Sequence, residues 1–326
     1  TTFAAFGFNA GWDRYETISP VKDVPVQEPF VLASRWLEQE FASEEPARRL
    51  LVIHTRGGHP PWDVTREEVG KLKPDDYAGP IDPRRGAITL ANVRARKQRS
   101  QRRLTDDDWT RLRELSLSAL VKQNAGLSQL LSTLRRASAW EDTLFVFVGD
   151  VAAGDAPDPP YEPAGPLSED RLLVPLLVKF PGRHFAGVEV PAAVTSVDVA
   201  RTILEALGLK LPDHASGSNL FAAALGRDAP VGRALVATLG NQYSTRAGSW
   251  LLHGEIAKAP RLCQLDVDPA CVNDVFEKRP IAARALWQWT FDAGLRNKEN
   301  GATEPSREPA SIDAETAAAL TVWGAL

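Results

Sequence analysis

Thr143-Leu-Phe-Val-Phe-Val-Gly-Asp150-Val-Ala-Ala153 is the stretch that decides the fold. Leu144 through Val148 are apolar or β-branched with no polar alternation. That is the pattern of a strand buried on both faces of a parallel sheet. The strand delivers a carboxylate, Asp150, at its C-terminal end, and ligands of open α/β sheets gather outside that end. Asp150 is therefore placed for a metal ligand or a catalytic acid. The alternative is a strand-end carboxylate accepting hydrogen bonds from the next loop's backbone.

Working outward, Leu50 to Thr55 reads as a second core strand, running into the irregular loop Arg56-Gly-Gly-His-Pro-Pro-Trp62. Thr105-Asp-Asp-Asp108 has the form of a helix start, with a Thr N-cap and a carboxylate three residues on. Leu112, Leu115, Ala119, Leu127, Leu130 and Leu134 then recur at helical spacing, so one long amphipathic helix leads to the Asp150 strand. Leu172 to Phe180 gives a third apolar strand, with Pro175 marking an edge position or a bulge. Thr195-Ser-Val-Asp198 opens another helix, which stops at Gly208. This order predicts a mainly parallel α/β core over residues 1–225. Short strands over 234–238, 249–253 and 262–265, then a helix over about 281–295, predict a small antiparallel α+β subdomain over 226–326.

Composition narrows the classes of function. Apolar residues make up 44% and charged residues 25%, with a formal net charge of −4. No global field favours nucleic acid or a membrane surface. No apolar run reaches the length of a bilayer span. The basic run Arg94 to Arg103 lacks interleaved aromatics, and Asp106 to Asp108 offset much of its charge. The chain contains no methionine, and its opening residues read like mid-domain sequence, so a fragment of a longer protein is expected. Cys263 and Cys271 flank Asp266-Val-Asp-Pro269; a turn there gives a small-loop disulfide, the alternative being two unpaired thiols. His253 is the one histidine nearby, so zinc is not expected.

Taken together, several of these segments resemble the sulfatase family of the alkaline phosphatase superfamily. Gly11-Trp-Asp-Arg-Tyr-Glu16 is similar to the family's aromatic segment, and Leu51-Val-Ile-His with Gly58-His-Pro-Pro-Trp62 to its strand-and-histidine loop. Leu167 to Gly182, Thr195 to Gly208, Gly217-Ser-Asn-Leu220, Leu262 to Pro269 and Leu320 to Leu326 follow in the family's order. Each match alone is weak; in register they are specific. The resemblance implies an alkaline-phosphatase-type α/β sandwich and hydrolysis of sulfate esters by a formylglycine nucleophile beside a divalent cation. It also implies an extracytoplasmic location, periplasmic or at the cell surface.

The resemblance assigns roles residue by residue. His59 falls where the family holds a sulfate-contacting histidine. Arg56, on the same loop, either binds an anion or is solvated. His54 is expected to be a core residue, and Asp150 corresponds to one metal ligand. The family's strand end usually reads S/T-D-H/N-G, and Gly149-Asp-Val-Ala152 matches it only at Asp150. Valine cannot coordinate a cation. The nucleophile motif C/S-x-P-x-R is not found around either cysteine. The expectation is thus a degenerate sulfatase-like protein, or the non-nucleophilic part of one, with no catalytic residue and only a vestigial metal ligand. Such a chain alone is inactive and serves a structural or binding role. The alternative is an active hydrolase, using calcium or another divalent cation, whose nucleophile and two Asp ligands lie upstream. A sulfated or other anionic ligand is the expected small partner. The missing N-terminal half or another chain would cover the open sheet edge.

Overall fold

The computed structural model of the chain describes residues 7–18, 25–43, 47–58, 62, 64–72, 76–83, 104–150, 167–212, 216–226, 233–299, 312–314 and 316–317. It divides into two compact units, residues 1–140 with 308–326, and residues 141–307. No helix among the described residues is long and apolar enough to cross a membrane.

In the first unit, α1 (Glu28–Phe41) packs on the long α3 (Asp106–Arg136), and α2 (Arg66–Gly70) is a single short turn. The α3 start forms as its sequence dictates. Thr105 Oγ1 accepts from the Asp108 N–H at 3.2 Å, and the Asp108 carboxylate accepts from the Thr105 N–H at 3.0 Å. Three aspartates at the first turn and Arg135 and Arg136 at the last complement the helix dipole. Phe30, Ala33 and Leu37 of α1 are buried against Leu130 and Leu134 of α3. Each large apolar side chain of that seam contributes roughly 1.5–3 kcal/mol by leaving water. Gly126 permits the approach: a Cβ there would lie 2.9 Å from Phe30 Cδ2.

Leu50 to Thr55 departs from the sequence expectation. The segment joins no ladder, and Leu50, Leu51 and Val52 are exposed; only Ile53 packs against the α1–α3 seam. His54, expected in the core, is exposed as well. An apolar run becomes a buried strand only where neighbours pair with it, and none does among the described residues.

The second unit opens with β1 (Phe145–Val148), followed by the turn α4 (Glu169–Leu172) and β2 (Leu176–Lys179). β1 and β2 pair antiparallel, Phe145 opposite Lys179 and Val148 opposite Leu176. The strand expected from Leu172 to Phe180 is thus shorter. Leu172 ends a helical turn, and Pro175 stands just before β2 rather than inside it, so its missing N–H costs no ladder bond. With β2 its only described neighbour, β1 is not buried on both faces: Phe147 and Val148 are exposed. Next come α5 (Ser196–Ala206) and α6 (Leu220–Ala224).

The remainder is a four-stranded antiparallel meander, β3 (Leu235–Leu239), β4 (Gln242–Ala247), β5 (Trp250–Glu255) and β6 (Arg261–Gln264), with α7 (Pro280–Glu299) on one face. The predicted antiparallel sheet and helix are present, with β4 as an additional strand. Every pairing among the described residues is antiparallel; the parallel pairing expected of the core is not among them. Two-residue turns join β3 to β4 and β4 to β5, with Gly240 and Gly248 at φ +58° and +57°. Tight hairpins need that left-handed backbone, and glycine adopts it freely. Tyr243, Leu252 and Leu262 bury against Ala283 and Leu286 of α7.

Candidate functional site

The end of β1 is closed tightly. The Gly149 N–H donates to Pro175 O at 2.9 Å, and a Cβ on Gly149 would approach Pro175 Cδ to 3.0 Å. Glycine keeps the two strand ends together, and Asp150 emerges exposed beyond them. Val151 lies outside the described residues, as does the segment to 166. Among the described residues, no group of three His, Cys, Asp or Glu ligand atoms converges around Asp150. The residue that follows Asp150 in the sequence, Val151, offers a divalent cation no donor atom.

The loop carrying Arg56 is held from below by α3. Gly58 O accepts from Trp62 Nε1 at 2.8 Å and from Ser116 Oγ at 2.9 Å, and Gly57 O accepts from Gln123 Nε2. Trp62 and Gln123 are buried, which shields these bonds from water. A Cβ on Gly58 would collide with Ser116 Oγ. The backbone of this loop is thus preset, with Arg56 half-buried on it. His59 lies outside the described residues, as does the run Arg94 to Arg103. Arg56 and Asp150 belong to different units.

A second aspartate is built in far more fully. Asp198, in the first turn of α5, is fully buried and accepts from the Thr195 N–H at 2.7 Å and the Ser218 N–H at 2.6 Å. Arg233 clamps it through both terminal nitrogens, at 2.9 and 2.8 Å. Burial pushes its pKa up, but the Arg233 guanidinium and the two backbone N–H groups outweigh that, holding the carboxyl below its ordinary range. Thr202 Oγ1 donates to Asp198 O and accepts from the Leu220 N–H, extending the knot to α6. Gly217 sits at φ +99°, with Val197 O only 2.9 Å from where a Cβ would stand. With every carboxylate oxygen engaged, this is an architectural group.

In the C-terminal sheet, Cys263 and Cys271 are joined as a disulfide, their Cα atoms 5.3 Å apart. Buried His253 stands beside them. The sequence offered no motif for His253; its position follows only from the β5–β6 register. A groove of about 640 Å³ lies between the β4–β5 turn and the start of α7, lined by Trp250, Ile281, Leu286 and Trp289 with Lys278 and Arg279.

These features can be set beside known proteins. The sulfatase family profile matches residues 5–209, and the chain belongs to the sulfatase family. Its fold is that of the alkaline phosphatase superfamily, shared with solved structures of low sequence identity. The phosphonate monoester hydrolase of Agrobacterium radiobacter is 19% identical with a TM-score of 0.61, over 87% of this chain and 64% of that one. The yidJ protein of Bacteroides fragilis is 12% identical with a TM-score of 0.62, over 84% and 59%. The protein Ps i-CgsB, solved in complex with k-i-k-neocarrahexaose, is 14% identical with a TM-score of 0.60, over 90% and 62%. The chain therefore spans about three-fifths of the length of these structures. No curated protein sequence matches it significantly.

Proposed function

We propose that the chain is a degenerate sulfatase, or the non-nucleophilic part of one, that binds rather than turns over an anionic ligand. The observation that carries this reading is the strand end Gly149-Asp-Val-Ala152, where Val151 stands at the position of the family's next metal ligand. The preset loop of Arg56, with His59 next to Gly58, is the ligand-facing element of the proposal; a sulfated saccharide is the ligand class to test. An extracytoplasmic location accords with the Cys263–Cys271 bond, which persists in oxidising compartments.

The test is direct. The pure chain, supplied with calcium, is expected to show no hydrolysis of 4-nitrophenyl sulfate or of a phosphonate monoester. Cation-dependent turnover that Asp150→Ala abolishes would refute the proposal. A second reading is favoured by the coverage of about three-fifths of the length of the matched structures. In it, a longer form of the protein is an active hydrolase, with a C/S-x-P-x-R nucleophile and two Asp ligands upstream. Sequencing the upstream coding region decides between them, because absence of that motif removes the second reading.

A further inference from the structure

We propose that the C-terminal sheet holds a latent metal site, formed by His253, Cys263 and Cys271 when their disulfide is reduced, that takes one zinc-like divalent cation. The site goes beyond the sulfatase reading and does not depend on it.

The sheet assembles the ligands by register. Leu251 pairs with Cys263 and His253 with Arg261. Because side chains alternate along a strand, His253 and Cys263 share one face. Leu252 and Leu262 take the other face, toward α7. Cys271 comes from the loop that folds back over β6. His253 Nε2 lies 3.4 Å from Cys271 Sγ and 3.9 Å from Cys263 Sγ. Tetrahedral zinc, with bonds of about 2.0–2.1 Å to nitrogen and 2.3 Å to sulfur, sets its N···S separations near 3.5 Å. The two distances bracket that value, so the imidazole already stands at ligand spacing from both sulfurs.

Cys271 is also held in place independently of the sulfur–sulfur bond. Its N–H donates to Asp268 O at 3.0 Å, and Arg261 Nη2 donates to Cys271 O at 3.2 Å and Val272 O at 3.0 Å. Asp268 Oδ2 accepts from the Asn273 N–H at 2.7 Å, and Asp274 Oδ1 accepts from the Leu262 N–H at 3.1 Å. Reduction leaves these bonds intact, so the thiol stays beside His253 while the sulfurs move apart to ligand spacing.

The imidazole of His253 is buried within the sheet. Its Nδ1 is buried with no hydrogen-bond partner among the described residues, as is Ser244 Oγ. Ser244 is the residue directly opposite His253 on β4. A change of the Ser244 rotamer supplies the acceptor that a metal-bound histidine's second nitrogen requires.

The chemistry balances. A dithiol reductant attacks one sulfur, the protein disulfide takes up two electrons and two protons as two thiols, and the reductant leaves as its own disulfide. The cation then displaces one proton from each thiol, binding two thiolates and neutral Nε2. Two protons are released, and a fourth position is left for solvent.

The experiment uses the whole chain, oxidised or reduced with a phosphine, titrated with Co²⁺ as a spectroscopic stand-in and then with zinc. The reduced chain is expected to bind one Co²⁺ with a thiolate-to-cobalt charge-transfer band, displaced by one equivalent of zinc, and the oxidised chain to show no band. His253→Ala should weaken binding by at least about a hundredfold and Ser244→Ala by about tenfold. Cys271→Ser, on the loop, is the companion variant should alanine at buried His253 disturb the sheet; it should abolish the band with far-ultraviolet dichroism unchanged. Three results would overturn the proposal: a band in the oxidised chain, affinity unaltered in both His253→Ala and Cys271→Ser, or no band in the reduced chain, whether it stays folded or unfolds.

Discussion

The end of β1 and the first turn of α5 each present an aspartate from a sulfatase-like motif, and the structure treats them in opposite ways. Asp198 is fully buried and meets Arg233, two backbone N–H groups and the glycine turn at Gly217. Asp150 is exposed at a strand end with no convergent set of ligand residues among the described ones. The partners of an architectural carboxylate lie within its own folding unit, so the site completes itself as the chain folds. A metal-binding carboxylate depends on donors drawn from separated segments, and it carries no function until they meet.

The strongest way to break this contrast is Asp198→Ala. It strips the N-terminus of α5 of its acceptor and leaves Arg233 facing a buried gap. Removing one partner of a buried ion pair costs about 3–5 kcal/mol. Arg233 keeps some solvent contact, which argues for the lower end. Denaturant unfolding of the variant measures the loss, and a change below about 1 kcal/mol, the range of surface pairs, would remove Asp198 from the architecture. Next in size is the acid limb of stability. The folded state holds the Asp198 carboxyl below its unfolded value of about 3.9, so between the two pKa values the unfolded chain binds more protons. The contribution of Asp198 is therefore present above that unfolded value and lost as pH falls through the folded one. Asp198→Asn should flatten this part of the pH profile, and an identical slope in variant and parent would contradict the assignment. The smallest effect belongs to Asp150→Asn, an exposed substitution expected to change stability by less than about 0.5 kcal/mol. A larger loss in the same unfolding assay would show that the β1 end has partners of structural weight.

What the sequence disclosed follows the same division. Thr105 with Asp108, Thr195 with Asp198, and the stop at Gly208 were legible because a cap and its partner are neighbours in the chain. Pro175 was expected inside a strand beginning at Leu172, but that strand begins only at Leu176, after the turn that ends at Leu172. The strand β4 was hidden, since its buried positions include Tyr243, Ser244 and Thr245, polar-bearing residues that mask the alternation of a strand. Leu50 to Thr55 misled in the opposite direction: apolar content alone does not supply a pairing neighbour. The cysteine pair could be anticipated from the intervening turn. The placement of His253 beside it could not, because strand register decides which side chains share a face. The Asp150 motif was legible as a motif, while the donors that would complete it are not defined by local spacing.

The β3–β6 meander has one more consequence, for the order in which the molecule is built. Each of its strands pairs with the next along the chain, and Gly240 and Gly248 begin the two tightest turns. Little chain entropy is lost in closing such hairpins, and contacts of this kind form early. β1 must instead find β2 across the whole segment between Val148 and Leu176. Loop-closure entropy therefore ranks the C-terminal hairpins ahead of that pairing. Closing the loop that brings the strand before Asp150 to its partner costs more chain entropy than closing either tight C-terminal hairpin.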